Sequence, residues 1–509
     1  MINRICHKEA SEMVANSSGV HKEASERLNL NNTVQAKRSA VTDNQYLARV
    51  SERRDIAGMP LADNHKMKKY LLLLLFLLLL PSYSNAERVK VRLFSNNNIE
   101  ALYVSFDLGL YDLYANDTML LDASLGEGMT VELLPQTTGV RVAVNGYEYG
   151  TFNQVILRAT DTACILCLNP KGVKQRTYEG NLYVKAYDAR NLRIINDVDF
   201  ETYLAGVVQS EIYGQHSEIF RIQATISRTW ALRNMGKHKS EGYNFCDYVH
   251  CQAYQNRCVR PDIMLGTMQS SGETIIDADG KLIDTPFHSN SGGETANSED
   301  VWRSALPYLR SVQDTFSLRM RQSDWTKVID KDKWLNYFAK THKLNVQDPQ
   351  VRNTLLSFEQ QHRKAKILGV PLTRVRTDFK LKSTFFSVST DPKTGNVLLS
   401  GHGYGHGVGL SQEGTIRMVG LGISYDSIIR HYYTGASIHK DDNVSEQYVE
   451  HFVTEITKII EEDKANPGKV KSKKDDWLGK LFRVRDRMDR EEEFDPTKQE
   501  MESDWKIEW

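Results

Sequence analysis

The stretch GHGYGHGVGLSQ, residues 401–412, constrains the fold more tightly than any other part of the chain. Glycine recurs at alternate positions from Gly401 to Gly409, with His402 and His406 among them. Glycine at every second position loses too much chain entropy for an ordinary strand or helix. Something therefore approaches this backbone so closely that side chains are excluded, and a metal, a phosphate and a sugar are the choices. TPFHSNSGGET, residues 285–295, has the same texture, rich in Gly, Ser and His and poor in apolar packing residues. The two stretches read as backbone-lined rims of one groove. A phosphate loop would end in Gly-Lys-Ser/Thr, and neither stretch does. A histidine metal site would want carboxylate or histidine partners nearby, and glycines on both sides of His402 and His406 fit an extended loop better. A sugar chain remains.

With 509 residues the chain has room for two or three domains and a sizeable core. Its 65 basic residues balance 65 acidic ones, so no global electrostatic pull toward nucleic acid exists, and no nucleic-acid partner is expected. Six cysteines are too few for a disulfide scaffold.

Residues 67–86, MKKYLLLLLFLLLLPSYSNA, have the form of a secretory signal peptide. Lys68 and Lys69 supply the positive start, Leu71 to Leu80 the apolar run, and Ser84-Asn85-Ala86 the small-residue cleavage site. The apolar run is short of the roughly 20 residues a membrane span needs. Cleavage would leave no stable membrane span and export the protein to the periplasm or cell envelope. A signal peptide belongs at the start of a chain, so translation is expected to begin at Met67. The 66 residues before it, with the near repeat HKEASEM and HKEASER, then form a misassigned or disordered extension.

After the signal, residues 87–184 alternate apolar and polar residues in VKVRLF, ALYVSF, TVELLP, VRVAVN and NLYVKA, the pattern of a small antiparallel β domain. From 185 to 440 the texture changes. SEIFRIQATISRTWALRNM, residues 217–235, reads as a helix capped by Ser217 and stopped by Gly236. Strand-like pieces alternating with loops are expected from there to residue 400, and a helix capped by Ser411 follows. In the tail, 441–509, 20 acidic and 13 basic residues make a charged segment, with an amphipathic helix expected over 446–463 and solvated helix or disorder beyond Pro467. The fold class expected is α+β.

Two further stretches carry chemistry. Glu211 follows a short apolar run in DFETYLAGVVQSEI and precedes the Tyr213-Gly214 loop. Burial there would raise its pKa and suit it to general-acid work; a surface glutamate in a turn is the plain alternative. In KHKSEGYNFCDYVHCQAY, His238, Cys246, His250 and Cys251 are four zinc-type ligands within fourteen residues. A Cys246–Cys251 disulfide competes with that reading in an oxidising compartment.

Together, YLAGVVQSEI, SRTWAL, CDYVHCQAY, FHSNSGGET with DVWR and PYLRSV, and GHGYGHGVGLSQEG with HYYTG resemble the stage II sporulation protein D family, including its amidase-enhancer members, in order and over about residues 185–440. The resemblance implies a peptidoglycan lytic transglycosylase with Glu211 as its catalytic residue. It implies a structural zinc on His238, Cys246, His250 and Cys251. It also implies a glycan groove, with Ser210, His288, Ser289, Ser291, Gly292, Gly293, His406, Ser411 and Gln412 as the expected contacts. Peptidoglycan strands, and through the amidase-enhancer members a cell-wall amidase, are the implied partners. The alternative is a non-catalytic wall-binding protein that activates an amidase; a zinc-stabilised structural protein would explain the cysteines but not the glycine-rich rims. Where the family often has Pro-Ser-Glu-Met, this chain has Gln209-Ser210-Glu211-Ile212.

Overall fold

Alternation of apolar and polar residues builds the first half of the molecule as expected. In β1 (Arg88–Leu93), Val89, Val91 and Leu93 are buried while Arg88 and Lys90 face solvent. The structure, a computed structural model, describes residues 88–465 apart from Ala163, Asp442, Asn443 and Ser445. The proposed leader, the residues before it and the tail beyond Ala465 lie outside the described residues. After β1 come β2 (Leu102–Leu108), β3 (Tyr111–Ala115), β4 (Thr118–Leu125), β5 (Thr130–Gln136) and β6 (Gly139–Val144). They are followed by β7 (Tyr147–Phe152), β8 (Val155–Ala159), β9 (Ile165–Pro170), β10 (Arg176–Glu179), β11 (Asn181–Ala186) and β12 (Leu192–Asp199).

These strands form two sheets. One has the order β10-β9-β2-β5-β6-β7; the other runs β1-β12-β11-β8-β3-β4 and gains a seventh strand, β13 (Phe245–Cys246), on the outside of β1. All pairings are antiparallel except β1 with β13, where Arg92 lies opposite Cys246. The core between the sheets is lined by Val104, Leu113, Val131, Leu157, Leu166 and Val184. It continues without a break into Phe200, Tyr203, Leu204 and Val207 of the first helix and into Phe245, Cys246 and Tyr254.

That helix, α1 (Phe200–Glu211), starts at Asp199, whose side chain accepts a hydrogen bond from the Thr202 amide. Next comes α2 (Ser217–Arg233). Its cap is His216, whose ring accepts from the Glu218 amide, rather than Ser217, and it ends at Asn234, before Gly236. A second core joins α1, α2 and α3 (Pro261–Gln269) to Leu410, Met418, Ile428 and Ile429.

Between residues 324 and 402 the expectation of strands and loops gives way to a mixed insert. Strands Asp324–Ile329, Val397–His402 and Phe385–Thr390 form a three-stranded antiparallel sheet. Helices Lys331–His342, Pro349–Leu356 and Leu372–Asp378 accompany it, with a core of their own around Trp334, Phe338, Leu355 and Phe386. The local reason is legible afterwards: Asp330 caps the Lys333 amide at 2.8 Å, and Trp334, Leu335 and Phe338 recur at helical spacing on the buried side. Ser411 caps the helix Gln412–Gly420, as expected. The helix Glu446–Ala465 realises the amphipathic pattern and buries Phe452, Ile456 and Ile459. Among the described residues, no helix is long and apolar enough to cross a membrane.

Candidate active site around Glu211

Glu211 is the last residue of α1, half-buried, beside the loop that follows β13. One carboxylate oxygen, Oε1, accepts a hydrogen bond from the Ala253 amide at 2.7 Å. Burial raises its pKa above the usual glutamate range, and the Ala253 amide only partly opposes this. The negative end of the α1 dipole acts in the same direction as burial. The plain alternative of a surface glutamate in a turn is thereby excluded.

The loop that supplies Ala253 is held from several sides. Gln252 donates to the Ser227 carbonyl of α2 and accepts from the Tyr203 hydroxyl of α1. The Tyr254 hydroxyl donates to Asn196 on β12, and the Gln255 amide donates to the Ser210 hydroxyl at 3.1 Å. Ser210 in turn donates to the Gly206 carbonyl. Gly206 is where the loop crosses α1. A Cβ there would come within 2.5 Å of the Tyr254 ring and 2.8 Å of the Asn256 carbonyl oxygen. Ser210 is therefore committed to positioning this loop.

Just before it lies the cysteine–histidine cluster. The ligand atoms of His238, Cys246, His250 and Cys251 all lie within 4.8 Å of one another. Cys246 Sγ is 3.6 Å from His250 Nδ1, and Cys251 Sγ is 3.5 Å from His238 Nε2. The edges of a tetrahedral zinc site with sulfur and nitrogen ligands measure about 3.4–3.8 Å, so the donors and spacing suit that ion. Both thiols are free. Hydrogen bonding from Cys251, and after it from His250, pulls the Cys246 thiol well below the usual range while Cys251 moves up. Glu241, which the sequence reading passed over, accepts from His238 Nδ1 at 2.6 Å and from the Tyr243 hydroxyl at 2.8 Å. That bond leaves His238 Nε2 facing Cys251, the orientation metal ligation needs.

The two glycine-rich stretches do meet, at the parallel pairing of Phe287–His288 with Leu410–Ser411. What occupies the space freed by their glycines, however, is the chain itself. A Cβ on Gly292 would lie 2.6 Å from the His402 carbonyl carbon, and one on Gly403 would lie 2.5 Å from the Asn290 oxygen. One on Gly405 would meet His288 Cβ at 2.6 Å, and one on Gly407 would meet the Arg363 guanidinium at 2.8 Å. Gly409 is closed off by the Pro286 carbonyl. The rims are thus glycine-rich because they pack on each other and on the 324–402 insert.

The polar groups beneath them are correspondingly engaged. Ser291, fully buried, donates to Asp314 at 2.7 Å, and buried Ser411 accepts from the Ser291 and Gly414 amides. Asn290 donates to Glu413 at 2.7 Å. Glu413, also fully buried, accepts in addition from Tyr213 at 2.6 Å and from the Gln322 amide at 2.9 Å. Gln412 donates to the Glu211 carbonyl at 2.9 Å, tying this rim directly to the end of α1. Ser291, Ser411 and Gly292, expected as sugar contacts, are buried and serve as framework instead. His288 is buried as well, with its Nδ1 at 3.1 Å from the Val408 carbonyl. Ser289, Gly293 and His406 keep partial exposure, and Gln412 sits at the seam with Glu211. His406 lies against the exposed Trp302, ring centres 5.2 Å apart. Tyr213, Asn290, Glu413 and the Ala253 amide escaped the sequence reading.

This is a mixed α+β protein with a lone half-buried carboxyl at a helix end, backed by a thiol–imidazole cluster. A family model described as stage II sporulation protein matches residues 188–276, which contain both features. The chain is 26% identical to stage II sporulation protein D of Bacillus amyloliquefaciens over 297 residues, 55% of this chain and 85% of that one. To the amidase enhancer of Bacillus subtilis it is 25% identical over 290 residues, 46% of this chain but only 40% of the longer relative. An uncharacterized protein of Brachyspira hyodysenteriae is 23% identical over 380 residues, 72% of this chain and 97% of that one. Residues 188–276 thus match the stage II sporulation protein family, and similarity to its sporulation protein D and amidase-enhancer members extends over about half of the chain.

Proposed function

We propose that the protein is a peptidoglycan lytic transglycosylase in which Glu211 is acid and base in turn. The observation that carries the reading is the half-buried Glu211 carboxyl, raised by burial and held by one amide. Its proton goes to the glycosidic oxygen as the bond from that oxygen to the anomeric carbon breaks. The resulting carboxylate then takes the proton of the same sugar's 6-hydroxyl as that oxygen bonds to the anomeric carbon. The proton count closes on Glu211, no water is consumed, and no second carboxylate is required, in contrast to ordinary glycosidases. Glu413, the other acid tied into this corner, already accepts three hydrogen bonds and is fully buried, so it serves structure.

Zinc on His238, Cys246, His250 and Cys251 completes the reading. With four protein ligands its role is structural. Those residues would fix the start of the loop whose Ala253 amide holds Glu211. Action on wall glycan requires export, which a leader at Met67–Ala86 would supply.

A second reading, a glycan-binding activator of a cell-wall amidase, is favoured by the likeness to the amidase enhancer. Mass spectrometry of peptide-free glycan strands incubated with the full chain separates the two. New 1,6-anhydro ends support the transglycosylase. Reducing ends would mean hydrolysis and a second carboxylate. Intact strands retained on the protein would leave the activator.

A further inference from the structure

The seven-stranded sheet has one face in the core and one open to solvent. Alternation places Lys90 and Arg92 of β1, Arg193 of β12, Lys185 of β11 and Arg158 of β8 on the open face. Register sets Arg92, Ile195, Tyr183, Ile156 and Tyr114 in one row across five strands. At the usual strand spacing that row is about 19 Å long.

The cations are interleaved with tyrosines. Lys90 lies over the Tyr183 ring at 5.2 Å and Arg158 over Tyr114 at 4.8 Å. Arg92 and Arg193 share the exposed Tyr187, at 5.7 and 4.9 Å. Acids on or beside this face are already committed. Asp197 is paired with Arg88 at 3.0 Å. Asp112, opposite Arg158, is buried and accepts from the Ala123 amide. Glu241 is taken by His238 and Tyr243. Among the described residues, none of the five cations is in a salt bridge. Arg193 Nε is buried without a hydrogen-bond partner, and its Nη1 reaches only the Glu241 carbonyl, at 3.5 Å. Arg193 and Lys185 also stand directly opposite each other on the β11–β12 ladder. Like charges so placed cost stability. A chain with no net charge thus gathers five cations that are in no salt bridge beside tyrosine rings on one face of a sheet.

We propose that this face is a second binding site, for a glycan strand that carries carboxylates. Guanidinium and ammonium groups, held in place over the tyrosine rings, would meet the carboxylates. The inference rests on the wall-glycan reading of the Glu211 site, since peptide-bearing wall glycan has carboxylates along its length. A lipid surface fits less well: it would want well-exposed apolar side chains, and Ile195, Tyr183 and Ile156 of the row are only partly exposed.

The test is sedimentation of the full chain with insoluble peptidoglycan that retains its stem peptides, over a range of salt. Two variants are compared with the parent, Lys90→Glu/Lys185→Glu, whose side chains are exposed, and Arg92→Ser/Arg158→Ser. Both should bind roughly tenfold or more weakly with a shallower salt dependence. Lys380→Glu/Lys393→Glu, on the 324–402 insert, should match the parent. Cleavage of short soluble glycan should not change in any of them, and all should be folded at the assay temperature; the variant with Lys185→Glu, which sets opposite charges across the β11–β12 ladder, should melt slightly above the parent. The proposal is overturned if the sheet variants sediment like the parent, if the insert variant loses as much, or if phosphatidylglycerol vesicles retain the parent better than peptidoglycan does. Failure of the Glu211 reading would look different: no variant or parent would cleave, while face-dependent sedimentation persisted.

Discussion

At the scale of the residue, Glu211 carries an energetic signature that can be measured apart from turnover. Burial raises its folded-state pKa above the unfolded one. Between those two values the folded protein holds more protons than the unfolded chain, so stability falls as pH rises through that window. The penalty is absent below the usual glutamate range and fully present above the raised value. Glu211→Gln removes the titration and keeps an oxygen for the Ala253 amide. The variant should therefore unfold at a higher temperature than the parent at pH 7 and at the same temperature near pH 3. Cleavage should fall by about 10²–10⁴-fold, the usual contribution of a positioned acid–base group. The parent's rate should decline on the alkaline side as Glu211 loses its proton. His406 does not confuse the alkaline decline: burial, with Arg376 and Arg363 nearby, pushes it down to about 4, so it is already neutral there. A parent and variant with identical melting temperatures at both pH values would refute the buried-acid account.

At the scale of the element, the link that matters runs from the cysteine–histidine cluster through the 251–256 loop to the end of α1. Metal analysis of the purified chain should give one zinc per molecule, and Cys251→Ser should lose it. Glu241→Ala should weaken zinc by about 10–100-fold, since it removes the group that orients His238. Gly206→Ala tests the other end of the link. Its methyl would press on the Tyr254 ring and the Asn256 carbonyl, and overpacking of this kind costs about 1–3 kcal/mol. A thermal melt would show it, and a melt unchanged from the parent would mean that the loop can lift away from α1. Much of this was legible in the sequence. Five strands of the first half (β1, β2, β5, β6 and β11), the Ser411 cap, the gathering of His238, Cys246, His250 and Cys251, and the partial burial of Glu211 follow from alternation, capping chemistry and residue type. Less legible was the meaning of the glycines. Their spacing announces a close approach to the backbone but carries no information about what approaches. Here the answer lies more than 100 residues away in sequence, in the mutual packing of Gly292 and Gly403. Of the insert's helices, Lys331–His342 does carry a local signal in its Asp330 cap and its Trp334, Leu335 and Phe338 spacing, whereas the short Pro349–Leu356 and Leu372–Asp378 bury only Leu355, and Leu372 with Val375, too few residues to show a period.

At the scale of the whole molecule, the N-terminal sheets and the Glu211 helix share one continuous core, while the helix Glu446–Ala465 closes a different part. That helix packs against α3 through a face that includes Phe452, Ile456 and Ile459, all buried. Its contacts lie in the second core, whereas Glu211 is positioned by α1, the 251–256 loop and Gln412. The helix should accordingly govern stability without governing chemistry. Ile456→Ala leaves a cavity at a fully buried position and should cost about 2–5 kcal/mol. Glycan cleavage per folded molecule should stay within twofold or so of the parent at a temperature where both are folded, because no group that holds Glu211 has moved. Melting curves and single-turnover cleavage on the same preparations check both halves. Loss of cleavage out of proportion to the unfolded fraction would show that α3 transmits strain from the tail helix to α1. The C-terminal segment would then belong to the active site's support rather than to its surroundings.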